Sequence, residues 1–268
     1  MKTILLTGAA GGVGAFLRKE FKGIYNLRLS DIVPITDLSE GETFVPANLT
    51  DLDAVKAATD GVDGIFHLGG YSIEGDWQTI LDANIIGLRN LYEAAYQTGV
   101  KRVVFASSNH AAGFYRRDNV IDHTAIPRPD SRYGVSKAFG EAMGALYADK
   151  YGLEVTCIRI GNVAMEPADK RRLSIWVTPR DLAQLVSIGL EHPKIHYEIF
   201  YGMSDNKQAW WDNSNALSFG YQPKDKNEQF FDEVLAAEPP KEEGDLTEIY
   251  QGGTFVASEA GGAPPKTR

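Results

Sequence analysis

The stretch from Thr3 to Phe21 constrains the fold of this chain more than any other. An apolar run, Thr3 to Leu6, passes directly into Gly8-Ala9-Ala10-Gly11-Gly12-Val13-Gly14 and then into a helix-like segment, Ala15 to Phe21. Glycine permits both the left-handed backbone of a tight turn and the close approach of another chain segment. A strand, a glycine turn and a helix in that order aim backbone N–H groups and the positive end of the helix at one spot, which suits a phosphate. Gly8, Gly11, Gly12, Val13 and Gly14 are therefore candidate phosphate contacts, against the plainer alternative of a tight turn with no ligand. A second apolar run, Tyr25 to Leu29, leads to Asp31. It stands about 20 residues past the glycines, the spacing of a carboxylate that accepts from an adenosine ribose.

Further strand and helix units follow. Thr43 to Pro46 reads as a third strand and Asp51 to Ala58 as a helix capped by Thr50 or Asp51. Asp63 to Leu68 is a fourth strand ending at Gly69-Gly70, and Trp77 to Tyr96 is a helix whose apolar stripe includes Asn84. Val103 to Ala106 is a fifth strand that opens into Ser107-Ser108-Asn109-His110. A helix beginning near Tyr133 continues through Phe139, Ala142, Met143, Leu146 and Tyr147, and Val155 to Ile160 is a sixth strand running into Gly161-Asn162. Pro179 to Glu191 reads as a helix, His196 to Tyr201 as a seventh strand and Asn227 to Ala237 as a helix. From Glu238 onward the chain is rich in Pro, Gly and charge and is expected to be irregular, with Ala257 to Arg268 disordered.

This alternation predicts an α/β fold, a Rossmann-like doubly wound parallel sheet of about seven strands flanked by helices. With 268 residues, 43% of them hydrophobic, one domain suffices. Residues 1–162 would form the dinucleotide-binding core, and 163–268 mainly a small substrate region and tail. The single cysteine, Cys157, lies in an apolar strand and cannot build a disulfide framework or a zinc site. No segment approaches the ~18 apolar residues of a membrane span. A formal charge of −9 disfavours nucleic acid. The expected setting is the reducing cytoplasm.

Ligands of such sheets bind beyond the carboxyl ends of the strands. The glycine turn, Asp31, Gly69-Gly70, Ser107 to His110 and Asn162 all follow predicted strands, so they converge on one edge. Tyr133 and Lys137 stand four residues apart and share a helical face. A lysine cation beside a phenol favours the phenolate, and a phenolate is a base.

Together these residues resemble the extended branch of the short-chain dehydrogenase/reductase superfamily. The resemblance rests on Thr7-Gly8-x-x-Gly11-x-x-Gly14, Asp31, Asn84, Ser107-Ser108, the Tyr133/Lys137 pair and Arg159-Ile160-Gly161-Asn162-Val163. A closer resemblance, over nearly the whole chain, is to the uronate dehydrogenase family, which oxidises C1 of D-glucuronate or D-galacturonate with NAD. It is carried by His67-Leu68-Gly69-Gly70-Tyr71-Ser72, Phe105 to His110, Arg172 to Trp176, Trp210 to Ser214 and Gln251 to Phe255.

The resemblance implies that Tyr133 is the proton acceptor, that Lys137 lowers its pKa and holds the nicotinamide ribose, and that Ser108 orients the anomeric hydroxyl. It implies further NAD contacts from Ile32, Asn48, Leu49, Leu68, Gly69, Gly70, Asn84 and Ile160. Substrate contacts would come from Ser72, Ser108, Asn109, His110, Asn162 and Arg171, the last as a counter-charge for a carboxylate. No metal is implied. Asn48 stands where relatives often have aspartate, and its amide can still pair with the adenine edge. Asn162 stands where close relatives have serine. Asp31 favours NAD over NADP, because a carboxylate repels a 2′-phosphate. Arg28 is nearby, but strand alternation turns it away. Trp210-Trp211 is read as packing. The helices Trp77 to Tyr96 and Tyr133 to Lys150 resemble a pair through which many relatives dimerise, which implies a homo-oligomer. The rival readings are a nucleotide-sugar epimerase or dehydratase, and a non-catalytic dinucleotide sensor, on the same scaffold.

Overall fold

The computed structural model describes residues 1–237 and 244–258. Its strands are β1 (Thr3–Thr7), β2 (Asn26–Ser30), β3 (Glu42–Phe44), β4 (Gly64–His67), β5 (Arg102–Ser108), β6 (Glu154–Ile160), β7 (Asn162–Val163), β8 (Trp176–Val177) and β9 (Tyr197–Gly202). Seven form one parallel sheet in the order β3-β2-β1-β4-β5-β6-β9, and β7 pairs with β8 separately. The helices are α1 (Gly12–Glu20), α2 (Leu52–Thr59), α3 (Trp77–Ile80), α4 (Gly87–Thr98), α5 (Arg132–Tyr151), α6 (Lys170–Ile175), α7 (Pro179–Glu191), α8 (Ser214–Ser218), α9 (Phe231–Ala237) and α10 (Leu246–Ile249). The predicted doubly wound sheet is therefore present with all seven strands.

Alternate residues of the strands feed two apolar layers, one on each face. Leu6, Phe66 and Val104 pack with Leu17 of α1 and Leu182 and Val186 of α7. Leu5, Ile65 and Val103 pack with Val55 of α2, Leu91 of α4 and Tyr147 of α5. The strand order reverses between β1 and β4, and the crevice of such a sheet opens at that point.

Three expectations are corrected. Trp77 to Tyr96 is helical throughout, but Leu81–Ile86 is a π-helical segment between α3 and α4. Its widened turn shifts the apolar stripe, so that Asn84 is buried while Leu81 faces solvent. On α5 the apolar spacing marks the buried face only in part: Tyr147 is buried and Phe139 and Met143 pack against the core. Ala142 and Leu146 are exposed, whereas Tyr133, Ser136, Lys137, Gly140, Glu141, Gly144, Tyr147 and Ala148 are buried. Glycines explain part of this, since a Cβ on Gly140 would lie 2.3 Å from the Phe105 ring, so the helix sits directly on β5. Finally, residues 244–258 are regular where irregular chain is expected, forming α10 and a 3₁₀ turn at Gly253–Ala257. The expectations for 238–243 and 259–268 lie outside the described residues.

Polar groups complete the buried face of α5. The Glu141 carboxylate takes two parallel hydrogen bonds from Arg159 of β6, both 2.9 Å, and one from Ser107 Oγ of β5 at 2.7 Å. Arg159 also donates to Tyr201 Oη and to the Ala125 carbonyl. Burial opposes the arginine charge, and the Glu141 bonds and charge overcome it, so its pKa stands above the ordinary value. Breaking such a pair leaves one desolvated charge alone. Arg159→Met should lower the unfolding free energy by about 3–5 kcal/mol, and Glu141→Met/Arg159→Met together should recover most of the loss. Urea denaturation of the three proteins checks this.

Candidate active site

The glycine turn closes β1 onto α1. Gly8 has φ +66° and lies so close to the β4 loop that a Cβ would meet the backbone of Leu68 and Gly69 at 2.8 Å. Gly14 is equally confined, 2.7 Å from the Ala9 carbonyl, whereas a Cβ on Gly12 would meet nothing within 4 Å. Gly11, the N-cap of α1, supplies no side-chain hydrogen bond. The first N–H groups of α1 therefore face open space without a cap, as a diphosphate requires. Asp31 is fixed beside them, accepting from Ala10 N–H and Val33 N–H, both at 3.0 Å. Arg28 points the other way, donating to the Ala58 and Asp60 carbonyls.

At the ends of β4 and β5, Lys137 is buried with its ammonium donating to the Ala106 carbonyl at 2.8 Å and lying 5.3 Å from the Tyr133 ring centre. Burial draws its pKa down from 10.5 to about 8. The Tyr133 phenol moves up, to about 12, chiefly by burial, with hydrogen bonding from Ser108 opposing and the charge of Asp130 adding to the rise. The expected lowering of Tyr133 is thus not what the protein groups alone produce, because desolvation of the phenolate outweighs its neighbours. Asn84 ties three segments together: its Nδ2 donates to the Tyr71 carbonyl and to Ser136 Oγ, both at 2.9 Å, and its Oδ1 accepts from Tyr71 N–H at 2.6 Å. Ser136 Oγ donates in turn to the Tyr133 carbonyl at 2.7 Å. Burial, with the Lys137 charge, drives the His67 pKa to about 3, so the ring is neutral against Thr7 Oγ1 at 2.7 Å. Glu74 accepts from the Tyr133 N–H at 3.1 Å and from Arg132, which pins the loop bearing Ser72 to the start of α5.

A third group lies behind β5 and β6. With its amide oriented to satisfy both ends, Asn109 donates to the Ile160 carbonyl at 3.2 Å and accepts from Arg171 Nη2 at 2.9 Å. Arg171 Nε donates to the Gln251 carbonyl at 2.9 Å, and the Cδ and Nε end of its guanidinium arm packs on Gly253, whose φ is +61°. Burial and then Arg117 draw the Arg171 pKa down to about 10. Among the described residues no carboxylate forms an ion pair with its guanidinium. Gly161 allows this arrangement, since a Cβ there would lie 1.9 Å from the Ile175 carbonyl at the end of α6. The His110 ring bonds Asp130 through Nδ1 at 2.7 Å, stacks on Phe255 with ring centres 3.8 Å apart, and meets Tyr133 edge-on at 5.8 Å.

One cleft of about 570 Å³ is lined by the glycine turn, Asp31, Ile32, Leu68, Gly70, Ser72, Ser108, Tyr133, Lys137, Ile160 and Asn162. An adjoining cavity of about 230 Å³ is walled by Asp31, Ile32, Asn48, Leu49 and Gly69. The predicted residues thus gather at one sheet edge, with Asn84 beneath the floor and Asn109, His110 and Arg171 forming a linked layer outside the main cleft wall. Trp210 and Trp211 are buried in packing: Arg117 lies over the Trp210 ring, and the Trp211 indole donates to Gln251. Sequence reasoning missed Asp130 and Glu74, and it named Gln251 only as part of a segment carrying the family resemblance, without a role. Asp130 precedes a cap residue and reads as a turn, and Glu74 lies in a loop with no periodicity to mark it.

This crevice, with its glycine turn at a helix N-terminus, Asp31 beside it, and its tyrosine and lysine on one helix, is that of a dinucleotide-dependent enzyme. Residues 4–193 match the model of the NAD dependent epimerase/dehydratase family, and the chain belongs to it. Within the family the chain is similar to the uronate dehydrogenase of Pseudomonas syringae pv. tomato, at 46% identity over 95% of this chain and 93% of that one. It superposes on a glucuronic acid dehydrogenase from Chromohalobacter salexigens with a TM-score of 0.93 at 42% identity, covering 96% and 97% of the two chains. A variant of uronate dehydrogenase from Agrobacterium tumefaciens, complexed with NAD, gives 0.92 at 41% identity over the same shares.

The buried Lys137 has a cost that can be measured. Its folded pKa lies below the ordinary value, so the folded chain binds fewer protons between pH 8 and 10.5, and stability rises with pH across that window. The cost is complete below pH 8 and absent above 10.5. Lys137→Met should therefore raise the unfolding free energy at pH 7 by up to about 3 kcal/mol, a gain that fades as pH approaches 10.5. Urea titrations at a series of pH values check it.

Proposed function

We infer that this protein is a uronate dehydrogenase, oxidising C1 of a cyclic hexuronate, D-glucuronate or D-galacturonate, to the aldarolactone with NAD as hydride acceptor. The observation that carries the reading is Arg171, a partly buried guanidinium without a carboxylate partner among the described residues, set behind the end of the strand that delivers Ser108. A desolvated cation of this kind costs stability unless an anion joins it, and a uronate carries one. Asn109 and the Gln251 carbonyl hold the guanidinium in place from opposite segments.

The NAD site is assigned to Gly8, Gly11, Gly12, Val13 and Gly14 for the diphosphate and to Asp31 for the adenosine ribose. Ile32, Asn48 and Leu49 are assigned to the adenine end, and Leu68, Gly69, Gly70 and Ile160 to the walls. NAD, when bound, supplies the hydride acceptor. Tyr133 is the base that takes the C1 hydroxyl proton, Ser108 orients that hydroxyl, and Lys137, cationic below pH about 8, favours the phenolate against the cost of burial. Ser72, His110 and Asn162 surround the rest of the sugar, and Asn84 keeps Ser136 and the Tyr133 turn in place. The region after Asn162 supplies the substrate side of a single domain.

No helix among the described residues is long and apolar enough to cross a membrane. Exposed Trp77, Leu81 and Tyr96, with Val135 and Leu146 on the neighbouring α5, support a homo-oligomer.

Two variants and a substrate panel test the assignment. Tyr133→Phe should cut turnover on the order of a thousandfold while leaving NAD binding measurable by fluorescence. Arg171→Ala should lower kcat/KM for uronates by roughly 30- to 150-fold, equivalent to about 2–3 kcal/mol, with NAD affinity kept. NADH formation should appear with glucuronate or galacturonate and not with neutral hexoses or UDP-sugars. Equal losses for uronate and NAD in Arg171→Ala would count against the anion clamp, and turnover of UDP-sugars alone would replace the whole reading.

A further inference from the structure

Asp130 has no part in the scheme above, yet the chain makes unusual room for it. Its side chain is fully buried. A Cβ on Gly113 would lie 1.8 Å from Oδ2, one on Gly252 2.0 Å from the same atom, and one on Gly134 3.2 Å from Oδ1. Gly113 and Gly252, from two separate segments, thus leave the space that this carboxylate occupies, while Gly134 mainly admits the His110 carbonyl, 2.3 Å from its Cβ position. Its two oxygens have different partners. Oδ1 accepts from Ser131 Oγ at 2.8 Å, and Ser131 Oγ in turn accepts from the Gly134 N–H as the cap of α5. Oδ2 faces His110 Nδ1 at 2.7 Å.

A carboxylate accepts hydrogen bonds and does not donate them, so the proton between the two belongs to Nδ1. In the neutral ring Nε2 is then a lone-pair acceptor. No hydrogen bond within the described chain engages Nε2, and it is not a buried orphan. The ring is fixed by Phe255 stacked on one side and Tyr133 at its edge. His110 follows Ser108 and Asn109 directly at the end of β5, next to the residue that binds Arg171.

We propose that Asp130 is a positioning residue, which holds His110 as the Nδ1–H tautomer so that Nε2 accepts a hydrogen bond from a ring hydroxyl of the sugar acid. The inference rests on the uronate reading for its substrate. The corner then contains both kinds of partner that a polyhydroxylated anion needs: Arg171 donates to the carboxylate, and His110 accepts from a hydroxyl. A ligand without that hydroxyl, or with an acceptor in its place, leaves the Nε2 lone pair unpaired or opposed. Such mismatches at a buried polar group discriminate more strongly than a missing methylene does.

The variant Asp130→Asn separates this role from simple loop anchoring. The asparagine keeps its Oδ1 on Ser131 Oγ–H, so its amide N–H₂ replaces Oδ2 and donates to Nδ1, which sends the imidazole proton to Nε2. In the full-length protein labelled with ¹⁵N-histidine, long-range ¹H–¹⁵N spectra report the tautomer directly, with His110→Gln identifying the resonance. The expected result is a protonated Nδ1 and an unprotonated Nε2 in the parent protein, the reverse in Asp130→Asn, and a kcat/KM for glucuronate or galacturonate lower by roughly 10- to 100-fold with NAD affinity unchanged. A parent protein carrying its proton on Nε2 overturns the proposal, as does an Asp130→Asn protein within twofold of the parent kcat/KM. Should Asp130→Asn fail to fold, the parent tautomer decides alone. That measurement needs no substrate, so its outcome is distinct from an absence of uronate turnover, which would instead overturn the uronate reading.

Discussion

The Glu141–Arg159 pair is the interaction on which the geometry of the site depends. Tyr133, Lys137 and Glu141 are spaced by four residues along one face of α5, and each meets the end of the sheet at a different height. Glu141 engages Ser107 of β5 and Arg159 of β6, and Lys137 one turn earlier engages the Ala106 carbonyl. A two-pronged ion pair has one good geometry, so it fixes both the rotation of the helix and its height along the strands. A slip of one residue would swing Tyr133 about 100° away from the cleft. Apolar contacts alone tolerate such slips better, because they are less directional.

Much of the fold was legible because strand, glycine turn and helix recur with their own local signals. The Gly8–Gly14 turn, Asp31 and the strand ends near Gly69 and Ser108 needed only the order of elements to bring them together. Part of the buried face of α5 was hidden, since Ser136, Gly140, Glu141 and Gly144 give no apolar signal and find their partners in other segments. Apolar spacing pointed to Ala142 and Leu146, which face solvent. The π segment around Asn84 was invisible for a similar reason: one added residue per turn leaves composition unchanged. The partners of Arg171 and His110 were the least legible. Arg171 and Gln251 are 80 residues apart, and Asp130 looks like any turn residue before a serine cap.

Electrostatically the site is built against its own stability. An acidic chain of net charge −9 nevertheless buries the Lys137 ammonium and most of the Arg171 guanidinium without pairing either to a carboxylate among the described residues. Both pKa values fall as a result, and the Tyr133 phenol rises for the same reason. Glu141 and Arg159, by contrast, neutralise each other within the core, and the buried Asp181 carboxylate is held by the backbone N–H groups of Lys224 and Asp225. Two buried cations without a carboxylate partner thus lie at the strand ends that frame the crevice, which is where a chain departs from what stability alone would select.

The anchoring of Arg171 by Gln251 and Gly253 also bears on the order in which the protein comes into being. A ribosome releases the chain from its N-terminus, and all of the assigned dinucleotide contacts have emerged by residue 160. The segment that orients the Arg171 guanidinium follows about 90 residues later, several seconds at ordinary rates of synthesis. The segments lining the nucleotide crevice are therefore synthesised well before the one that fixes Arg171, and a chain stopped ahead of residue 251 would lack the carbonyl that holds this guanidinium.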